Sequence, residues 1–252
     1  MAVPSDSMVH MSRRKSVTPT EAPTKSPRRH SRPLNYSRLT LAHESLVAEA
    51  LKSGRLVWVL SDTHFGHRRL TEVLNPPARP MGYPLVDDLM RRNWWNTVRQ
   101  EDLVLHLGDV FLEEITSDSI PPWMERLPGE VLVIADGNHD GQKKLEAMNN
   151  IGWKVIKPFS LTKQDRTVHF SHHPVPEEEL PDKHFSVHGH VHTNFGKLQI
   201  SHRHRNVSVE VIDFTPQRLD RILDCILARD GVRMTWNSPD ASDISGLTRA
   251  RG

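Results

Sequence analysis

The sequence predicts an α/β layered fold whose second half is mostly β-structure. Short apolar runs first alternate with helical repeats and then give way to a cluster of strand patterns. The 252 residues suffice for one sizeable domain, and 37% hydrophobic with 25% charged residues supports a packed core. The longest strongly apolar runs have about five residues, whereas a membrane-spanning helix needs about 20, so a transmembrane protein is excluded.

The first half of the domain alternates predicted helices with predicted buried strands. Leu46, Val47, Ala50 and Leu51 repeat at helical spacing, and Gly54 follows as a stop signal. The next predicted elements are a strand over 56–60, a helix over 86–98, strands over 103–107 and 131–135, and a short helix over 142–148.

The second half predicts mainly strands. These lie over 154–156, 167–171, 185–188 and 207–212. A C-terminal helix over 219–226 follows, and its apolar repeat places Cys225 in the core.

Residues 1–38 predict a disordered basic tail. Eight Lys and Arg residues against Asp6 and Glu21 give this stretch a charge of +6, and the remainder of the chain carries −4. Five prolines and few large apolar side chains leave too little surface to offset the entropy of ordering. The tail is either a weak nucleic-acid tether or a solvated extension. We expect the folded domain over 39–236 and a flexible tail over 237–252.

The cysteine and histidine counts are informative. The single Cys225 excludes an internal disulfide and a four-cysteine zinc site, and it fits a reducing compartment. Since no apolar segment typical of a secretory signal follows the N-terminus, we expect a cytoplasmic protein without membrane contact. The 16 histidines stand out, because imidazole is both a metal ligand and a proton carrier near neutral pH.

Polar clusters follow five of the predicted strands, at the point where each strand ends. In open α/β sheets the ligand crevice lies at the carboxyl ends of strands, so we expect these clusters to meet at one site. The residues are Asp62 and His64; Asp109; Asn138, His139 and Asp140; His172 and His173; and His190 and His192.

Gathering these side chains in one cleft brings the like charges of Asp62 and Asp109 together, which is unfavourable unless cations neutralise them. Two divalent metal ions would do so. Carboxylate, imidazole and amide donors suit manganese first, with iron, zinc and nickel as further candidates.

This ordered set of motifs resembles the calcineurin-like metallophosphoesterase superfamily, in particular a small bacterial and phage branch. The motifs that carry the resemblance span about 56–213 and are Asp62-Thr63-His64, Gly108-Asp109, Gly137-Asn138-His139-Asp140, His172 and Gly189-His190-Val191-His192. The resemblance implies a four-layer αββα sandwich, with two mixed β-sheets flanked by helices.

The resemblance also implies a role for each residue. Asp62, His64 and His192 would hold a first metal ion, Asn138, His172 and His190 a second, and Asp109 would bridge both. His172 and His173 compete for the ligand role in their motif. His139 would stabilise charge on the phosphate or protonate the leaving oxygen, with Asp140 orienting its ring. His67 and His173 are candidates for contacting the substrate, although His67 could equally cap a loop.

The implied activity is a metal-dependent phosphoesterase, in which a hydroxide bridging two metal ions attacks a phosphate ester. We expect a phosphodiesterase acting on a nucleotide-like substrate or another small phosphate ester. A nuclease, a small-molecule phosphomonoesterase and an inactive scaffold are the alternatives on the same centre, and a nucleic-acid-binding module working through the tail is a further one. Asp136 stands where many relatives have an arginine, which counts against a protein phosphatase. No oligomeric state is indicated.

Overall fold

The computed structural model describes residues 33–66, 85–112, 115–163, 165–193 and 201–227. Within these ranges the chain forms nine strands and four α-helices. The helices are α1 (Ser45–Ser53), α2 (Leu85–Thr97), α3 (Gln142–Asn150) and α4 (Leu219–Leu227). None of the described helices is long and apolar enough to span a bilayer.

The first sheet has five strands in the order β4-β3-β2-β1-β9. Its first four strands are mutually parallel, and β9 pairs antiparallel with β1. The strands are β1 (Val57–Leu60), β2 (Leu103–His106), β3 (Glu130–Ile134), β4 (Lys154–Ile156) and β9 (Gln217–Arg218). Every residue of β1 and β2 is buried, as expected of parallel strands covered on both faces.

The second sheet has four strands in the order β5-β6-β7-β8. Here β6, β7 and β8 run parallel, and β5 is antiparallel to β6. The strands are β5 (Phe159–Lys163), β6 (Arg166–Phe170), β7 (His184–His188) and β8 (His204–Asn206). With two mixed sheets and flanking helices, the predicted α/β sandwich is confirmed.

One hydrophobic core joins the two sheets. Leu105 and Leu132 of the first sheet and Phe170 and Val187 of the second belong to the same buried cluster. Helix α2 adds Trp94, whose indole N–H donates to the Pro128 carbonyl at 3.0 Å. A shared core of this kind fixes the two sheets against each other, so their strand ends have a defined relative position.

Two of the sequence predictions for the second half are wrong. Residues 207–212 form no strand; the chain makes the short β8 earlier and then a 3-10 helix over Val209–Val211. The Asn206 side-chain oxygen accepts from the Ser208 backbone N–H at 2.9 Å, a local bond that competes with strand pairing. Cys225 is exposed, because the buried side of α4 is formed by Leu219, Ile222 and Ile226.

The described residues include 33–38, the last part of the segment assigned to the basic tail. A 3-10 helix spans Tyr36–Arg38, with the Asn35 side chain accepting from the Ser37 backbone N–H at 3.2 Å. Tyr36 packs against the core, which gives these residues an apolar contact. Residues 1–32 and 228–252, with most of both predicted tails, lie outside the described residues.

The strand registers bring the polar clusters to one edge. Leu60 pairs with His106, and His106 pairs with Val133, so β1, β2 and β3 end at the same level. A bridge between Ser61 and Ser208 then connects the end of β1 to the chain that follows β8. The carboxyl ends of both sheets therefore face a common cleft.

His106, the last residue of β2, forms hydrogen bonds with the turn after β1 and with the turn after β2, both of which carry candidate site residues. The Gly108 backbone N–H donates to its Nδ1 at 3.2 Å, so the neutral ring carries its proton on Nε2. Nε2 lies 3.1 Å from the Thr63 hydroxyl, which in turn donates to the Val110 carbonyl at 3.0 Å. Burial lowers the pKa of His106 to about 3, so the ring stays neutral in the folded protein.

This buried neutral imidazole predicts a pH dependence of stability. Below its ordinary pKa of 6.5 the unfolded chain protonates His106, whereas the folded chain does so only near pH 3. The free energy of unfolding therefore falls as the pH falls through this window, by up to about 1.4 kcal/mol per pH unit from this group. The test is urea unfolding of the metal-free proteins in the presence of a chelator. Between about pH 6 and about pH 4, the free energy of unfolding of His106→Gln should fall less steeply with falling pH than that of wild type. Identical slopes for the two proteins would contradict the assignment.

Candidate metal centre

Asp109 lies at the middle of the cluster, in the turn that follows β2. Its Oδ2 is 3.6 Å from His64 Nε2 and 3.3 Å from His172 Nε2. Its Oδ1 accepts the His139 backbone N–H at 2.9 Å. One carboxylate oxygen is thus held by the backbone while the other faces imidazoles from both sheets.

A first group of candidate ligands surrounds the fully buried Asp62. Its Oδ1 lies 3.9 Å from His64 Nε2 and 3.7 Å from His192 Nε2. Its Oδ2 accepts the His190 backbone N–H and the Ser208 hydroxyl, both at 2.9 Å. The carboxylate is therefore oriented by two donors, with Oδ1 directed at the two imidazoles.

A second group surrounds the side-chain oxygen of Asn138. His172 Nε2 lies 3.1 Å from this oxygen and His190 Nδ1 lies 2.9 Å from it. The other nitrogen of His172, Nδ1, donates to the Leu107 carbonyl at 3.0 Å. A hydrogen bond of this kind is what usually fixes the tautomer of a metal-binding histidine, leaving the opposite nitrogen free to coordinate.

His173 is the neighbour that competes with His172. Its ring is exposed, with a centroid 4.2 Å from that of His190, and its Nδ1 lies 4.0 Å from Asp136 Oδ2. A nitrogen of His173 is nevertheless close enough to His172 and His190 for the three to hold an ion together. His173 thus borders the second group on its solvent side.

These separations fit metal coordination. Ligand atoms bound tetrahedrally at about 2.0–2.1 Å from one ion lie about 3.3 Å apart. Three sets bring their ligand atoms within 4.8 Å of one another: Asp62, His64 and His192; Asp62, Asp109 and His172; and His172, His173 and His190. Oxygen and imidazole donors in this number could hold one or two divalent ions.

The electrostatics of the centre favour a cation. Burial raises the pKa of Asp62, because no solvent stabilises its charge. Burial alone would lower the pKa of His172, but its hydrogen bond to Asp109 and the charge of Asp62 raise it to about 9. A proton on His172 thus offsets part of the charge of the two carboxylates in the metal-free protein, and metal binding would release it.

Backbone strain is concentrated in the same residues. A positive φ is uncommon outside glycine and persists where surrounding structure imposes it, often at functional sites. Eight described residues other than glycine have one, and five of them are candidate ligands: Asp62 (59°), His64 (44°), Asp109 (55°), His190 (69°) and His192 (47°).

A glycine makes room for the centre. A Cβ added to Gly189 would lie 2.1 Å from Ser61 Oγ and 2.2 Å from Asp62 Oδ2. Both distances are well below van der Waals contact. The backbone after β7 therefore approaches the Asp62 carboxylate as closely as only glycine allows.

Asp140 has a role that the sequence did not predict. Its carboxylate accepts the Asp109 backbone N–H at 2.5 Å and the Val110 backbone N–H at 3.2 Å. It therefore holds the turn that carries Asp109, while its orienting of the His139 ring stays a prediction. Burial and the charge of Asp109 raise the pKa of Asp140 to about 7.

His139 itself lies beside the first group, exposed to solvent. Its ring packs edge-on against His64, with centroids 5.3 Å apart. Partial burial lowers its pKa, so the imidazole is mainly neutral at pH 7. His67, the other candidate for substrate contact, lies outside the described residues.

Sequence reasoning missed three residues that support the ligands. The Glu210 carboxylate lies 3.1 Å from His192 Nδ1, and its side chain is fully buried. Ser208 donates to Asp62, and the Asn206 amide donates to the His192 carbonyl at 2.7 Å. The Glu210–His192 contact is the carboxylate–histidine arrangement that orients metal ligands. No local pattern marks these residues, because their partners lie far away in the sequence.

Comparison with known proteins identifies the family. The model of the calcineurin-like phosphoesterases matches residues 55–224, more than half of the chain. The chain therefore belongs to the calcineurin-like phosphoesterase family, which makes it a metal-dependent hydrolase of phosphate esters.

Individual proteins are also similar to this chain. An uncharacterized protein of Methanocaldococcus jannaschii is 30% identical over 182 residues, covering 69% of this chain and 93% of its own. Gene 66 protein of Mycobacterium phage L5 is 28% identical over 170 residues, which cover 54% of this chain and 77% of that protein. A crystal structure of a protein of unknown function from Aquifex aeolicus shares the fold, with a TM-score of 0.53, 24% identity, and coverage of 68% of this chain and 99% of that one.

The space around Gly189 predicts the effect of a methyl group there. In Gly189→Ala the added Cβ would displace Asp62, so we expect metal affinity, measured by calorimetric titration with manganese, to fall by about tenfold or more. Gly141→Ala is the matched control, because an added Cβ at Gly141 meets nothing within 4 Å. Equal affinities for the two variants would contradict the close approach.

The contact between Glu210 and His192 predicts a second effect. Glu210→Gln keeps the shape of the side chain but removes the charge that orients and polarises His192, so we expect a loss of manganese affinity of about 10- to 100-fold. Glu101→Gln, at an exposed position, should leave the affinity unchanged. Unaltered affinity in a folded Glu210→Gln protein would show that this carboxylate does not support the ligand.

Proposed function

We propose that this protein is a phosphodiesterase that uses two divalent metal ions and acts on nucleotide-like substrates. The observation that carries the proposal is the position of Asp109, whose Oδ2 faces His64 on one side and His172 on the other. A carboxylate oxygen shared by two imidazole-containing groups suits a pair of ions with a common ligand.

The side-chain contacts support the ligand assignment that the resemblance implies. Asp62, His64 and His192 form the first set, Asn138, His172 and His190 the second, and Asp109 belongs to both. His172 is favoured over His173 because its Nδ1 is engaged by the Leu107 carbonyl and its Nε2 faces the Asn138 oxygen. Burial and the neighbouring imidazoles lower the pKa of His190 to about 4, so its ring is neutral, as a ligand must be.

Two divalent ions at such a centre would supply an activated water near neutral pH and positive charge for the phosphate oxygens. The chain's own residues do the rest. Asp140 and the His139 backbone N–H fix Asp109, and the Glu210 contact fixes His192. The exposed His139 ring lies next to His64, where a ring N–H could donate to the oxygen of the departing alcohol.

The charge of the site supports a diester over a monoester. A phosphate monoester carries up to two negative charges, and a diester carries one. Within the described part of the chain, the groups around the centre are carboxylates, imidazoles and an amide. Among the described cations, Lys144 acts electrostatically on His139 and Asp140, but its ammonium donates to the Phe111 and Leu112 carbonyls at 2.8 and 2.9 Å. A singly charged substrate needs no further cation.

The proposal predicts turnover of a generic substrate. With manganese present, wild type should hydrolyse bis-para-nitrophenyl phosphate faster than the mono-ester, and chelator should abolish the reaction reversibly. Asp109→Asn should reduce the rate to background, because it removes the shared ligand, whereas the exposed Asp118→Asn should match wild type. Release of nitrophenolate gives the rates. Hydrolysis by Asp109→Asn at the wild-type rate, or none by metal-loaded wild type, would refute the proposal.

A further inference from the structure

A surface cavity of about 380 Å³ lies between α2 and the 3-10 helix Met124–Arg126 with its two flanking residues. None of the candidate ligands lines it. Its walls carry three arginines, two tryptophans and one acid: Arg91, Arg92, Arg126, Trp95, Trp123 and Asp88.

The lining is positively charged. Asp88 pairs with Arg91 at 2.9 Å, so its charge is neutralised. Arg92 and Arg126 are exposed, and no carboxylate forms an ion pair with either in the part of the chain that the structure describes. Two guanidinium groups thus remain available to an anion, and guanidinium binds phosphate oxygens in a planar, bidentate way.

The lining is also aromatic. Trp95 is 57% exposed, whereas its neighbour Trp94 is buried in the core. An exposed indole offers a flat apolar face on which a planar ligand can stack. Trp123 is half-buried, with the Arg91 guanidinium 4.6 Å from its ring centroid. The cavity therefore offers flat apolar faces next to free positive charge.

The back wall of the cavity is continuous with the metal centre. The Trp123 ring packs edge-on against Phe65, with centroids 5.0 Å apart. Phe65 directly follows His64 and pairs by a backbone bridge with Phe111, which lies two residues after Asp109. A molecule bound in the cavity is therefore separated by one layer of aromatic rings from the turns that carry the candidate metal ligands His64 and Asp109.

We propose that this cavity binds a nucleotide of single-stranded nucleic acid, with its base on Trp95 and its phosphate at Arg92 and Arg126. Indole faces stack on any base, and guanidinium groups take the backbone phosphates, which together suit a single strand. The proposal rests on the phosphodiesterase proposed above, since it names single-stranded nucleic acid as the substrate class. Binding, however, is independent of turnover and can be measured without it.

Single-stranded nucleic acid explains both features of the cavity. A duplex keeps its bases stacked and would leave Trp95 unused. An acidic peptide would use the arginines but has no need of an exposed indole. The sequence adds a basic segment over 1–38, with a charge of +6, which suits a long polyanion better than a free mononucleotide.

Fluorescence anisotropy with a labelled oligothymidylate tests the proposal. The full chain carries Asp109→Asn, so that hydrolysis does not interfere. Adding Trp95→Ala should weaken binding about tenfold, since stacking on one base is worth about 1–3 kcal/mol, and Trp95→Phe should restore most of the affinity. Arg92→Gln with Arg126→Gln should reduce the salt dependence by about 0.7 log units per log unit of salt, the value for the loss of one phosphate contact on a single strand.

The matched control is Arg99→Gln with Arg221→Gln, which removes the same charge from two exposed positions outside the cavity. It should leave the affinity and the salt slope unchanged. Unchanged affinity in Trp95→Ala would overturn the proposal, as would equally tight binding of a duplex or of free thymidine monophosphate. Each of these results stands whether or not wild type hydrolyses a phosphodiester, so the two proposals fail separately.

Discussion

The centre is organised around two carboxylates, Asp62 and Asp109, that are buried close to the same imidazoles. Their like charges repel each other in a region from which water is largely excluded, so the arrangement needs positive charge to persist. In the metal-free protein a protonated His172 supplies part of it, as the rise of its pKa to about 9 indicates. Divalent cations would supply more, with the remaining candidate ligands completing their coordination.

The turns that hold these groups together have strained backbone conformations, and contacts with the surrounding structure stabilise them. Several candidate ligands have positive φ, including Asp62 and His190. The hydrogen bonds of His106 connect the turn after β1 to the turn after β2. The Asp140 carboxylate accepts a hydrogen bond from the Asp109 backbone N–H and so fixes that turn. All of these contacts rest on the parallel strands of a closely packed core, which deform little. Rigid strand ends therefore hold each candidate ligand in position without a bound ion.

Much of the site could be predicted from local sequence, because the polar residues follow apolar runs directly and parallel strands end at one edge. The fold class and the gathering of Asp62, Asp109, Asn138, His172 and His190 followed from that rule. The residues that orient the candidate ligands could not be predicted. Ser208 contacts Asp62 and Glu210 contacts His192, and no sequence spacing reveals these pairs. Strand β5 was missed because its alternating pattern is short and only half-buried, and the strand predicted over 207–212 failed because side-chain hydrogen bonds replaced the ladder.

The most direct test is crystallographic. Crystals of the full chain soaked in manganese, with diffraction recorded at the manganese absorption edge, locate each ion by its anomalous scattering. We expect two peaks about 3.5–4 Å apart, one beside Asp62 and His192, the other beside Asn138 and His190, with Asp109 contacting both. A single peak, or peaks away from Asp109, would contradict the assignment of a two-ion centre shared by the two sheets.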